Sequence, residues 1–142
     1  MTRTLAFPAA APEAAVRYFG AELGFEVDPD DLVQDLEAGR TDGYVVVETR
    51  APEVFALARI PGAINLPYRD ITAESVTHLD RDLVYVCYCE STVCNAATKG
   101  ALKLAELGFK VKRLSGGITG WIAAGYPVEG AGITERGIRC AC

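Results

Sequence analysis

The sequence predicts an α/β domain of three layers, α/β/α, around a central mainly parallel sheet. Three observations predict it. From Tyr44 onward, short β-branched or apolar runs alternate with segments of helical period, a pattern that calls for parallel strands joined by helical crossovers. Residues 83–88 are almost continuously apolar, as a strand covered on both faces must be. The chain has 142 residues, half of them apolar and 23% charged, enough for one domain with a real core.

Taken in order, Pro12 suits a first helical position, and Val16, Phe19 and Leu23 recur at helical spacing, so residues 11–23 read as a helix. Asp28 caps a second helix with Pro29 at its start, Asp31 in its first turn, a Leu32/Leu36 stripe, and Gly39 at its end. Residues 44–47 read as a buried strand. Pro52 starts a short helix to about Ala58, residues 60–67 form a turn and a short strand, and a weak helix is expected at 72–77. The strand at 83–88 leads to a helix at 95–107, with Ala101, Leu104 and Ala105 inward and Gly108 closing it. Residues 111–114 form a strand. Gly116-Gly117 breaks the chain before a helix carrying Trp121, which ends at Gly125.

Composition narrows the function. The formal charge of −5 argues against nucleic acid as the main partner, because phosphate binding needs clustered cations. No apolar run is long enough for a bilayer, so no membrane partner is expected. Residues 1–10 hold one early Arg and no sustained apolar core. That reading implies no signal peptide and a cytoplasmic protein. Five cysteines, Cys87, Cys89, Cys94, Cys140 and Cys142, do not suggest a disulfide framework in such a chain. They suggest reduced thiols with chemistry to do, or small buried hydrophobes.

Cys89 is the candidate nucleophile. It follows the most apolar strand and precedes a long helix, the place where open α/β sheets bind ligands. A helix N-terminus offers unpaired amides and partial positive charge, which lower a thiol's pKa and can hold an anion. The surrounding loop, Glu90, Ser91, Thr92, Val93, Cys94 and Asn95, is the candidate anion-binding segment. A buried structural thiol is the alternative reading.

Several motifs place the chain in a family context. Val45-Val46-Val47-Glu48-Thr49-Arg50, the segment Arg59 to Pro67 (RIPGAINLP), Tyr88-Cys89, Leu104-Ala105-Glu106-Leu107-Gly108-Phe109, and Leu114-Ser115-Gly116-Gly117-Ile118 with Trp121 occur in that order. Together they resemble the rhodanese-like family. The resemblance covers about residues 28–129 and implies a sulfurtransferase in which Cys89 carries sulfur as a persulfide. The loop Cys94-Asn95-Ala96-Ala97-Thr98-Lys99 and the helix at 11–23 are similar to a subgroup with an extra N-terminal helix packed on the core. The implied organisation is a helical extension at 1–27, the rhodanese-like domain at 28–129, and a Cys-x-Cys tail at 130–142.

The sequence departs from the family pattern in places. Ala58-Arg59 stands where Gly-His is usual, and Glu48 where Asp is usual. The loop 90–93 lacks Gly and Pro, and Cys94 stands where many relatives have Arg. These changes put thiosulfate in particular in doubt as donor. Glu90 also opposes ionisation of Cys89. Arg50, Arg59 and Lys99 are the remaining cations that could support the site. A cysteine phosphatase of similar topology would need Arg six residues after the nucleophile, and Asn95 stands there.

Cys87 reads as core. Cys94 reads either as a resolving or accepting thiol or as an inert residue of the first helical turn. Cys140 and Cys142 form a candidate relay on an exposed tail. No zinc spacing is completed, so no metal and no cofactor are expected. His78, the lone histidine, reads as a surface residue, leaving no His general base. The leading expectation is sulfur transfer from a small sulfane-sulfur donor to a thiol or an acceptor protein. The rival readings are a Cys89/Cys94 thiol–disulfide module and a catalytically silent binding domain.

Overall fold

Five parallel strands make the central sheet of the computed structural model, which describes residues 2–134 and 137–138. The strands are β1 (Glu26–Val27), β2 (Tyr44–Glu48), β3 (Ile64–Asn65), β4 (Val84–Tyr88) and β5 (Lys110–Leu114). Their spatial order is β1-β5-β4-β2-β3. β4 is therefore central, and in register Val47 faces Cys87 and Glu48 faces Tyr88.

The α-helices are α1 (Pro12–Phe25), α2 (Pro29–Glu37), α3 (Pro52–Leu57), α4 (Ala96–Glu106) and α5 (Gly117–Ala123). Alternation along β4 separates two cores. Val86 and Tyr88 join Val46, Leu32, Val33, Leu114, Ile118 and Trp121 beneath α2 and α5. Tyr85, Cys87 and Cys89 join Val47, Ala96, Ala97 and Leu104 beneath α4. This is the predicted three-layer α/β/α fold. A two-stranded antiparallel ribbon, β6 (Ile133–Thr134) and β7 (Gly137–Ile138), follows.

Asp28 caps α2 as its sequence predicts, its side chain accepting from the Asp30 amide at 2.7 Å. Three expectations differ. Residues 72–77 form turns, not a helix, because Thr72 and Ser75 take each other's backbone amides, at 2.9 and 3.1 Å, in competition with helical bonds. Ala105 faces solvent. The inward face of α4 is Ala96, Ala97, Gly100 and Leu104, small residues that let the helix sit close to the sheet. The helix α1 forms, but it buries no residue, and Val16, Phe19 and Leu23 are 60–76% exposed. It meets the sheet edge near its C-terminal end, where Lys112 Nζ donates to the Leu23 carbonyl at 3.1 Å.

Candidate active site

β4 ends at Tyr88, and Cys89 begins the loop that leads into α4. Two bonds from the next crossover fix this strand end. The Ile118 amide donates to the Cys89 carbonyl at 2.9 Å, and the Thr119 amide to the Glu90 carbonyl at 2.8 Å. On the other side, Thr49 donates its amide and its hydroxyl to the Tyr88 carbonyl, both at 3.0 Å. Below lies a buried polar network. Glu48 is fully buried and paired with Arg50. The Tyr88 hydroxyl donates to Glu48 Oε2 at 2.5 Å and accepts from the Ile60 amide at 3.1 Å.

Cys89 is only 3% exposed, yet it lines a cavity of about 290 Å³ with Ser91, Thr92, Cys94, Arg113 and Gly117. A second cavity, about 470 Å³, is lined by Thr49, Arg50, Tyr68, Arg69, Glu90 and Cys94 among others. Cys94 borders both. Ser91 and Thr92 thus line the Cys89 cavity, and Glu90 lines only the second one. Val93, 95% exposed, and Asn95, also exposed, line neither cavity.

The predicted supporting cations fare differently. Arg50 rims the second cavity but is held by Glu48 and by the Ala58 carbonyl at 3.0 Å. Arg59 lines neither cavity. It stacks on Phe55, with its guanidinium 5.0 Å from the ring centre, and pairs with Glu129 at 3.4 Å. Lys99 also lines neither and sits over the Tyr68 ring at 5.3 Å. The cation at the Cys89 cavity is Arg113, which the sequence reading missed. It is bound to Glu26 and donates to Thr98 Oγ1 at 2.7 Å. The sequence alone gives no signal for it: Arg113 reaches the cavity because β5 pairs with β4, and the C-terminal ends of adjacent parallel strands share one cleft. Glu22 and Glu26 line the same cavity, so its charge is more acidic than a site for a dianion would be.

The loop amides also differ from expectation. The Val93 amide is taken by Ser91 Oγ at 3.3 Å, that of Cys94 by the Ser91 carbonyl at 3.2 Å, and that of Ala96 by Cys94 Sγ at 3.5 Å. No residue of 89–95 has positive φ, and a concave ring of amides needs left-handed residues in alternation. The Gly-free sequence therefore folds as a tight turn around its own groups.

The thiols follow from this. Burial raises the Cys89 thiol above its ordinary value; the Ala97 amide opposes that and the Cys94 thiol adds to it. Burial also acts to raise Cys94, but the Ala96 amide, the Cys89 thiol and the Glu90 backbone together hold it below its ordinary value. The helix N-terminus thus acts on both thiols: the Ala97 amide on Cys89 and the Ala96 amide on Cys94, which is the more acidic of the pair. The Cys89 thiol points to the carbonyls of Cys94, at 3.4 Å, and Ser91, at 3.9 Å. Cys87 is fully buried, and desolvation pushes it up to about 12. His78 is exposed. Cys140 and Cys142 lie outside the described residues.

Residues 28–124 match the rhodanese-like domain family. The chain belongs to this family. It is 34% identical over 104 residues to the thiosulfate sulfurtransferase GlpE of Ectopseudomonas mendocina, which covers 72% of this chain and 92% of that protein. It is 35% identical over 99 residues to the HTH-type transcriptional regulator Rv0324 of Mycobacterium tuberculosis, covering 70% of this chain but only 42% of the regulator. Among solved structures, the BH2092 protein of Bacillus halodurans superimposes with a TM-score of 0.81 at 38% identity, covering 84% of this chain and 87% of that one. A sulfurtransferase function is supported at the level of the family.

Proposed function

We propose that this rhodanese-like chain is a sulfurtransferase that carries sulfane sulfur as a persulfide on Cys89. The observation that carries the reading is the placement of Cys89: at the carboxyl end of the central strand, at the wall of a 290 Å³ cavity, beside the start of a helix. The Cys89 thiolate attacks the outer sulfur of a donor, forms the S–S bond, and expels the donor's remainder with its electron pair. The outer sulfur then passes to a nucleophilic acceptor, regenerating the thiolate.

Cys94 supplies what a histidine would supply elsewhere. It is the more acidic thiol of the two, lowered where Cys89 is raised, so a negative charge formed on Cys94 can be shared with Cys89. The acidic lining from Glu22 and Glu26 favours donors of low charge, such as an organic persulfide, over thiosulfate. Sulfur loading with several donors, read by mass on the parent and Cys89→Ser, tests this. The parent takes up one sulfur atom and Cys89→Ser takes up none on residues 87–94. Loading that persists on this segment without Cys89 refutes it.

A further inference from the structure

The second cysteine is not absorbed by sulfur carriage alone. Cys94 packs in one cluster with Cys89 and borders both cavities. A turn closed by the Cys94 amide on the Ser91 carbonyl at 3.2 Å folds it back towards the nucleophile. The Cys94 carbonyl is itself 3.4 Å from Cys89 Sγ. Disulfide closure needs Cα atoms within about 7 Å, and the approach of Cys89 Sγ to the Cys94 backbone puts the two residues within reach of that closure.

We propose, resting on the reading of Cys89 as the persulfide carrier, that Cys94 is a resolving thiol that converts the carried sulfur to hydrosulfide. The Cys94 thiolate attacks Sγ of Cys89, the inner sulfur of the persulfide. A Cys89–Cys94 disulfide forms, the inner-to-outer S–S bond breaks, and the outer sulfur leaves as hydrosulfide with the electron pair. Two cysteine thiols are oxidised to one disulfide while sulfane sulfur is reduced to sulfide. A dithiol reductant then returns both thiols.

Three observations favour attack on the inner sulfur. Cys94 packs in the same cluster as Cys89 and its carbonyl lies 3.4 Å from Cys89 Sγ, whereas an added outer sulfur has the cavity to extend into. The amides of Val93, Cys94 and Ala96 bond to groups of the loop, so these three are not free to shelter the persulfide anion. Cys94 is held below its ordinary pKa by the Ala96 amide and by Cys89 against burial, which favours the thiolate that exchange requires.

The test loads the fully reduced full chain with glutathione persulfide, removes small molecules, and follows sulfide and intact mass without added thiol. In the parent, about one sulfide per chain appears, and a disulfide linking Cys89 to Cys94 replaces the added sulfur. In Cys94→Ser, Cys89 stays one sulfur atom heavier and sulfide release slows by at least about tenfold. Cys94→Ala, checked by thermal melting, gives the same result and separates chemistry from folding. A Cys140→Ser/Cys142→Ser variant releases sulfide like the parent. The inference is overturned if the parent holds its persulfide as long as Cys94→Ser does. It is also overturned if the sulfur moves to Cys94 without sulfide, or if release follows the tail cysteines. Failure of the parent both to gain sulfur on Cys89 and to release sulfide overturns instead the carrier reading beneath it.

Discussion

Replacing Gly117 by alanine tests how the strand end that carries Cys89 is held. Gly117 has φ +61, and a Cβ there would lie 2.6 Å from the Cys89 carbonyl oxygen and from both the carbonyl carbon and oxygen of Glu90. These are backbone atoms with no rotamer to escape into. The left-handed conformation costs a non-glycine residue about 1–2 kcal/mol, and overpacking costs about 1–3 more. Relief requires moving α5 away from β4, which weakens the bonds of Ile118 and Thr119 to the Cys89 and Glu90 carbonyls, each contributing about 1 kcal/mol. The expected destabilisation is about 4 kcal/mol, or a fall in Tm on the order of 15 °C for a domain of this size.

Two neighbours serve as controls. Gly116 has φ +79, but its Cβ would meet nothing nearer than 3.7 Å, so Gly116→Ala carries the conformational cost alone, about 1–2 kcal/mol. Gly120 lies inside α5 with open space around it, so Gly120→Ala is neutral or gains up to about 1 kcal/mol. Denaturation of the three variants gives the order of stability. Sulfur loading on Cys89 should fall about 10–100-fold in Gly117→Ala, because small misplacements of a nucleophile are costly. Equal stability of Gly117→Ala and Gly116→Ala, or full loading in Gly117→Ala, refutes the argument.

Four further outcomes follow from the same structure. Glu48→Ala strands Arg50 in a nearly dry site and should cost about 3–5 kcal/mol by denaturant unfolding. The Cys87 thiol is raised from 9.0 to about 12 in the fold, so its contribution is intact below pH 9 and is lost as pH rises towards 12, on the order of 4 kcal/mol in all; Cys87→Ala should show a flatter alkaline stability profile than the parent. Limiting iodoacetamide near pH 7 should label Cys94 before Cys89, with Cys89 labelling rising only at higher pH, because Cys94 is lowered and Cys89 raised; peptide mapping that finds Cys89 labelled first contradicts the assignment. Glu26→Gln removes a carboxylate from the Cys89 cavity and frees Arg113, so KM for thiosulfate should fall by about tenfold, equivalent to about 1.4 kcal/mol, with little change for a neutral trisulfide donor.

The central elements were legible because apolar runs such as those of β2 and β4 have little use outside a sheet covered on both faces. β1 escaped notice because it has two residues, one of them Glu26, at the sheet edge, where neither burial nor period leaves a mark. The stripe of Val16, Phe19 and Leu23 predicted a helix correctly but not its burial, since periodicity reports a face and not its partner. The place of Cys89, just past the central strand and before α4, was legible from its position between strand and helix. Arg113 was not, because its approach to the cavity depends on strand order, which brings β5 beside β4.

The loop itself shows why its composition and its second cysteine belong together. A ring of amides that holds an anion needs backbone in the left-handed region, and the sequence Glu90-Ser91-Thr92-Val93 contains no glycine to supply it cheaply. The chain instead closes a turn on the Ser91 carbonyl, and that turn carries Cys94 back against Cys89. An Arg at position 94 would have offered a fixed charge to an anionic donor. A thiol there offers a charge that appears on deprotonation and a sulfur that can form a bond. Both changes work against a bound anion, and only the cysteine adds a reaction, so the departures from the family pattern accord with the thiol exchange proposed at Cys89.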